Sequence, residues 1–439
     1  MNRFSTKTIL IGLIIFLSMS ALLWPIMRTF IAKQYLHRIP ESARAFFATP
    51  LPSALPAPVA VETAVPPTIF VPTISHQQSA VSSQPPATTP PVTVSPGHPV
   101  TVPSNPSATP SPHHPITPSP TPLPAAARIT EINVIPQKFN NCGPANVTIL
   151  LDFYGIEADQ LEIGDQIKPN YDDRNVSPWE LVDYVNESAP LRATYYVGGD
   201  RKLLQRFLAA GFPVIIEKGL YPNSYDGWMG HYLTLVGYDD AEQAFISLDT
   251  FLGPWDSSGR FESYDFVDEF WHQFNNTFIL IYPVEAETAV LALLDDTFQD
   301  PLLMWQHAAQ TAQAQIRTNP DDAYAWFNLG AGLTRLGQLI GDDQLYANAA
   351  TAFDRARTIG LPWRMLWYQF EPYEAYLGAN RPDEVIALTD AILTTEGGQN
   401  VEETHLYRGL AFEMRGDSDM ADAAFRRAIS LNSNLTIDN

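Results

Sequence analysis

The N-terminal pattern is an apolar run without a charge, Thr8 to Met27, flanked by Arg3 and Lys7 before it and Arg28 and Lys33 after it. At ~20 residues it has the length a helix needs to cross a bilayer. From Arg128 the pattern changes to short apolar segments separated by turn residues. Ile129 to Ile135 predicts a strand ending at Pro136, and Gln137 to Asn141 a polar turn. Gly143 to Tyr154 predicts a helix with Val147, Leu150, Leu151 and Tyr154 on one face, stopped by Gly155. Helices over Pro178–Asn186 and Arg201–Ala210 precede strands over Val214–Glu217, His231–Tyr238, Ala244–Leu248 and Thr277–Tyr282. Helices first and strands afterwards predict an α+β domain. Beyond Pro283 the apolar spacing is helical throughout.

Composition explains what lies between the apolar run and the first strand. Of 38 prolines, 22 fall between Pro50 and Pro124, a stretch with one acid (Glu62), one glycine (Gly97) and no Lys or Arg. Such a segment buries too little apolar surface to offset its chain entropy, and it is expected to be a disordered linker. Drawn out as polyproline II at ~3.1 Å per residue, about 75 residues reach on the order of 200 Å. A spacer of that reach fits a single-pass cell-membrane protein whose globular part is extracytoplasmic. Ser18-Met19-Ser20-Ala21 offers a signal-peptide cleavage site, but apolar residues continue through Leu22, Leu23, Trp24, Ile26 and Met27, which favours an uncleaved anchor.

Charge narrows the partners. Residues 1–49 hold six of the 26 Lys/Arg residues and one of the 48 acids, leaving 20 basic and 47 acidic residues for the remainder. A phosphate backbone is repelled by that balance, so nucleic acid is not an expected partner. Cys142 is the one cysteine, which excludes an intrachain disulfide and a cysteine metal cluster. His98, His113 and His114 are dispersed in the linker, and neither a metal nor a cofactor is expected.

A lone cysteine is most often inert packing, but this one is placed differently. Asn141-Cys142-Gly143-Pro144 sets the thiol at the start of the predicted helix, where free backbone N–H groups and the helix dipole favour an anion. A thiolate is the nucleophile, and such a position lowers a cysteine pKa. Gln137, five residues upstream, has the spacing to aim its amide at the same point and complete an oxyanion hole with the Cys142 N–H. Gly230-His231 opens one predicted strand, and Asp249 follows the next. In a hairpin, both side chains emerge on one edge with Asp249 orienting His231. Asn141, Gly230, Trp228 and Tyr225 are candidates to line the substrate cleft.

Gln137, Asn141-Cys142-Gly143-Pro144-Ala145, Phe153-Tyr154-Gly155, Gly211-Phe212-Pro213-Val214-Ile215, Gly230-His231, Val236-Gly237-Tyr238-Asp239-Asp240 and a late helix near Phe266–Phe274 follow one another in an order that resembles the papain-like, double-glycine leader (bacteriocin-processing) cysteine peptidases, over about Asn133 to Pro283. The resemblance implies a papain-like fold with helices packed on an antiparallel sheet. It also implies peptide hydrolysis with Cys142 as nucleophile, His231 as general base and acid, Asp249 as its orienter and Gln137 in the oxyanion hole. No P-loop is recognisable and one span is expected, which separates the chain from transporter-linked members. A catalytically silent scaffold, and a thiol amidase or acyltransferase acting on cell-wall peptides, are the alternatives.

Glu403 to Ser433 resembles a tetratricopeptide unit, with Gly409, Phe412, Gly416, Ala421, Phe425 and Ala428 at the expected offsets. An earlier unit has Trp326, Leu329-Gly330, Leu333 and Gly337, then Ala349, Phe353 and Ala356, with seven extra residues around Ile340–Tyr346; Trp367–Tyr376 and Asp383–Thr394 form a middle pair. A three-unit solenoid offers a surface for a peptide or protein partner, capping of the peptidase-like domain being the alternative. The expected organisation is therefore an anchor and juxtamembrane segment (1–49), a disordered linker (50–127), a papain-like domain (128–286) and tetratricopeptide-like repeats (287–439).

Overall fold

The computed structural model describes residues 54–59, 69, 71–72, 122–223, 226–395 and 397–435. The expected span at Thr8–Met27 lies outside them, and among the described residues no helix is long and apolar enough to cross a membrane. The described residues other than 221–223 and 226–227 form one compact unit.

The first half of that unit alternates helices and strands in the order β1 (Ala126–Arg128), α1 (Cys142–Phe153), α2 (Gln160–Ile167), α3 (Pro178–Ser188), β2 (Leu191–Tyr196), α4 (Arg201–Ala209), β3 (Val214–Leu220), β4 (Met229–Asp239), β5 (Ala244–Leu248), β6 (Arg260–Ser263), α5 (Tyr264–His272) and β7 (Phe278–Pro283). Local sequence starts these helices. The Asp159 side chain accepts from the Leu161 and Glu162 N–H groups at the head of α2, and Ser177 with Glu180 forms a capping box on α3. Asp200 caps α4 through Leu203 N–H, and Ser263 caps α5 through Phe266 N–H.

Among the described residues the sheet runs β2-β7-β3-β4-β5-β6, with β1 on the far half of β4, and every pairing is antiparallel. The close approach of β1 requires Gly237, because a Cβ there would lie 2.5 Å from Ala127 O. Both faces are covered, so β3 and β5 are buried along their whole lengths, Glu217 and Lys218 of β3 included.

Three expectations change here. The strand expected at Ile129–Ile135 is not paired as one: β1 lies earlier, and Glu131 at φ 62° turns the chain out of the ladder. Ile129, Ile132 and Val134 are still buried as cover for the sheet. β4 begins at Met229, so His231 is its third residue and not its first. Residues 54–59, 69 and 71–72, inside the segment expected to be disordered, lie against the C-terminal helices.

Those helices are α6 (Glu287–Leu293), α7 (Pro301–Thr318), α8 (Ala323–Ile340), α9 (Asp343–Ile359), α10 (Glu371–Gly378), α11 (Pro382–Leu393), α12 (Glu402–Met414) and α13 (Ser418–Leu431). From α7 onward each packs on the next. The extra residues expected to separate α8 from α9 lengthen the helices instead, and Gly341 at φ 68° makes the turn with Asp342. The middle pair starts later than expected, since Met365–Trp367 form a 3-10 turn and α10 begins at Glu371.

The proline-bearing strap shows why composition misleads. Proline lacks an N–H, so such a segment presents surplus carbonyl acceptors, and here the helices supply the donors. Arg357 donates from Nε to Pro56 O (3.0 Å) and from Nη2 to Ala57 O (3.1 Å). Gln313 Nε2 donates to Ile69 O (2.8 Å) and Gln306 Nε2 to Pro72 O (2.6 Å). Leu361 O and Glu384 Oε1 accept from Leu55 and Val59 N–H. Leu55, Ile69 and Val71 are buried.

Candidate active site

The register of the sheet sets the site. Thr234 faces Leu248 across β4 and β5, so by continuation Leu233 faces Asp249, and His231 lies two residues along on the same face. A diagonal neighbour of this kind is within side-chain reach. His231 Nε2 and Asp249 Oδ1 are 3.1 Å apart, both residues buried. Asp249 Oδ1 also accepts from Phe251 and Leu252 N–H (2.8 and 2.7 Å), which fixes the carboxylate before it meets the imidazole.

Cys142 is the first residue of α1 and half-buried. The Asn141 side chain does not cap the helix, and the first turn holds no acid, so its N–H groups stay open to an anion. Burial pushes the thiol up, but the hydrogen bond and charge of His231, the Tyr232 N–H and the charge of Lys168 outweigh it and hold Cys142 below its ordinary value. Burial likewise depresses His231, yet the Asp249 carboxylate and the Cys142 sulfur raise it to about 9. Burial opposes ionisation of Asp249 too, but the imidazolium and the two backbone donors lower it to about 2. With Nε2 on Asp249, Nδ1 is the ring nitrogen left for the sulfur. The Asp249 carboxylate favours the protonated imidazole and His231 in turn favours ionisation of the thiol, an arrangement that can deliver a nucleophile with a proton donor beside it.

Asn146, one turn beyond Cys142, joins the helix to the strand. Its Nδ2 donates to Cys142 O (2.8 Å) and Tyr232 O (2.9 Å), and its Oδ1 accepts from Thr234 Oγ1 (2.7 Å), the last two away from solvent. Replacing it with leucine strands a buried hydroxyl and a carbonyl. Asn146→Leu is expected to lose about 2–4 kcal/mol, read as a lower urea midpoint at unchanged slope; a midpoint equal to wild type would show that the bridge is dispensable.

Gln137 is tied to the residue after Asp249. Its N–H donates to Thr250 O (2.9 Å) and its Oε1 accepts from Thr250 Oγ1 (2.9 Å). That pairing orients the amide and leaves Nε2 as its donor.

The cleft at Cys142 is lined by Gly143 and Asn140 from the α1 side, Gly230 and Tyr232 from β4, and Glu217 from β3. Burial raises Glu217, beside Tyr232, well above the ordinary carboxylate range. Arg174 and Tyr368 close the remaining sides. Gly230 is needed where it stands, since a Cβ would lie 2.8 Å from Phe274 and 2.9 Å from Tyr368.

Two expected cleft residues are elsewhere. Asn141 is buried under α1, its Nδ2 donating to Gln160 O, and its neighbour Asn140 lines the cleft instead. Trp228 is 3 % exposed. Its ring stacks on Phe274 and meets Tyr368 edge-on, and its indole N–H donates to Gln273 Oε1 (2.7 Å), so it backs the wall without forming it. Tyr225 lies outside the described residues. Of the residues that sequence reasoning missed, Asn146 had a signal, four positions after Cys142 and therefore on its face of the helix. Arg174 and Tyr368 had none, because long-range packing brings them in.

Residues 129–279 match the Peptidase_C39 like family. Two solved structures are similar. One is a C39-like peptidase from Bacillus anthracis, 18% identical, with the match covering 36% of this chain and 96% of that one at a TM-score of 0.30. The other is a double glycine motif protease from an AMS/PCAT transporter, in complex with its leader peptide, 15% identical, covering 36% of this chain and 99% of that one at a TM-score of 0.26. No curated protein matches the chain. An antiparallel sheet, a cysteine heading a helix against it and the family match agree: over residues 129–279 the chain carries a papain-like domain of the C39-like peptidase family.

Proposed function

We propose that the chain is a cysteine peptidase that hydrolyses peptide bonds through Cys142, His231 and Asp249. The observation that carries this reading is the buried Asp249–His231 pair at 3.1 Å, beside a cysteine at a helix N-terminus whose thiol is held below its ordinary value in part by His231. The thiolate attacks the scissile carbonyl, and the Cys142 N–H with Gln137 Nε2 stabilises the oxyanion. His231 then gives its proton to the leaving amine, and water activated by the neutral imidazole releases the acyl-enzyme.

In this proposal Thr8–Met27 anchors the protein in the cell membrane with its globular part outside. The C-terminal helices are tetratricopeptide-like and dock a peptide or protein partner, a role supported by their hold on residues 54–59, 69 and 71–72 of the same chain.

Alkylation of the full chain by iodoacetamide across pH 4–9 tests the thiol. Because His231 keeps its proton up to about pH 9, the wild-type rate is expected to be nearly flat from below neutrality to about that pH. In His231→Ala it should climb roughly tenfold per pH unit toward the free-thiol value of about 8.5. A wild-type profile equal to the mutant's would mean an unactivated cysteine and favour the silent scaffold. An activated thiol that cleaves no peptide but transfers acyl groups to amines would favour the acyltransferase.

A further inference from the structure

Among the described residues that line the cleft, Arg174 carries the guanidinium, and the proposed reaction gives it no role. Its guanidinium lies over the rings of Phe139 and Trp367, at 5.9 and 5.7 Å, and has no ion pair or hydrogen bond to any described residue. Trp367 is itself fixed, 1 % exposed and edge-on to Trp363, while Phe139 stands on the opposite rim beside Tyr171. Two rings hold the planar cation by its faces, and the N–H donors along its edge stay available. The acids nearby are not paired with it: the Asp173 carboxylate accepts from Asn175 N–H, and burial disfavours the charged form of Glu217. Arg364, also over the Trp367 ring, adds positive charge to this side of the cleft. A cationic spot next to the nucleophile is unusual in a chain whose formal charge is -22.

We propose that Arg174 is a specificity-determining residue that binds a carboxylate of the substrate close to the scissile bond. The carboxylate belongs to an Asp or Glu side chain or to the free C-terminus of a short peptide, and a charge-assisted, two-pronged bond is the interaction that guanidinium makes best. The proposal rests on the peptidase reading for the word substrate, but not for the site. A general acidic character is not enough to bind here, because the rest of the folded surface repels polyanions and only a single well-placed carboxylate is favoured.

Cys142 is the only cysteine, so its alkylation reports on the cleft without turnover. Iodoacetate and iodoacetamide have nearly the same shape and differ by a carboxylate. The ratio of their rates on the full chain, wild type against Arg174→Gln, is expected to fall about tenfold in the variant, the effect of one charge-assisted hydrogen bond, and Arg174→Lys should restore part of it. His231 attracts iodoacetate in every variant and cancels in the comparison. An unchanged ratio overturns the proposal. The source is then assigned by digesting a peptide library with free and with amidated C-termini. Loss of cleavage beside Asp and Glu in Arg174→Gln assigns the side chain, and loss confined to free C-termini assigns the terminal carboxylate. Cleavage indifferent to carboxylates in the wild type overturns the substrate role. No cleavage at all by the wild type refutes the peptidase reading, while the alkylation ratio still decides the carboxylate site.

Discussion

Cys142→Ala is expected to abolish peptide hydrolysis while leaving the melting transition within a few degrees of wild type, and His231→Ala to lower kcat by about 10⁴-fold. The alanine removes only the sulfur, from a half-buried position, so little packing is lost. Chemistry suffers more, because the described residues lining the cleft offer no other thiol or aliphatic hydroxyl to form the acyl-enzyme. The histidine change removes two functions together: it leaves the thiol protonated at neutral pH and takes away the acid that protonates the leaving amine. General acid-base assistance alone is worth about 10²–10⁴-fold. Residues that act as one unit do not add, so the double variant should be no slower than Cys142→Ala. Turnover by Cys142→Ala at the wild-type rate would remove the thiol mechanism altogether.

A chain ending at Ala286 is expected to fail to fold, although it contains the entire papain-like domain. The C-terminal helices cover its core directly. Phe298 lies 6.2 Å from the Tyr196 ring and 6.0 Å from Phe278, and Tyr368 packs on Trp228 and Phe274 at 5.8 and 6.1 Å. Polar contacts follow the same seam: His272 Nε2 to Asp322 (3.2 Å), Asn328 Nδ2 to His272 O (2.8 Å) and Gln369 Nε2 to Gln273 O (3.1 Å). Uncovering a large apolar side chain costs about 1.5–3 kcal/mol. Four of them approach the ~5–15 kcal/mol by which a domain is stable at all. Circular dichroism through a thermal ramp, with dye binding to exposed apolar surface, is the check. A soluble fragment with a cooperative transition near that of the full chain would mean that the helices are a separate module.

The same seam separates what was legible in the sequence from what was not. Cys142, His231 and Asp249 each sit at a local signal, a helix start after a polar turn or a strand bounded by glycine or aspartate, and the structure brings the three together. Element positions inside the papain-like domain follow the same local rules, apart from Ile129–Ile135, where a positive φ at Glu131 is invisible in an apolar pattern. β2 and α2 went unread because Leu191–Tyr196 and Gln160–Ile167 are short and mixed in polarity. Trp228 looked like a loop aromatic only because its partners, Gln273, Phe274 and Tyr368, are distant in sequence. The wall at Tyr368 and the cation at Arg174 are tertiary facts of the same kind. Composition marked residues 54–72 as unable to form a core, which is correct of the segment alone; it says nothing of a surface elsewhere in the chain with spare donors.

That strap changes the topology of the covalent chain. Pro72 is held by Gln306, and Pro124 O accepts from the Tyr238 hydroxyl, so the residues between them begin and end on the same folded unit. A protease that cuts there opens a loop without releasing anything, because the strap keeps both pieces together.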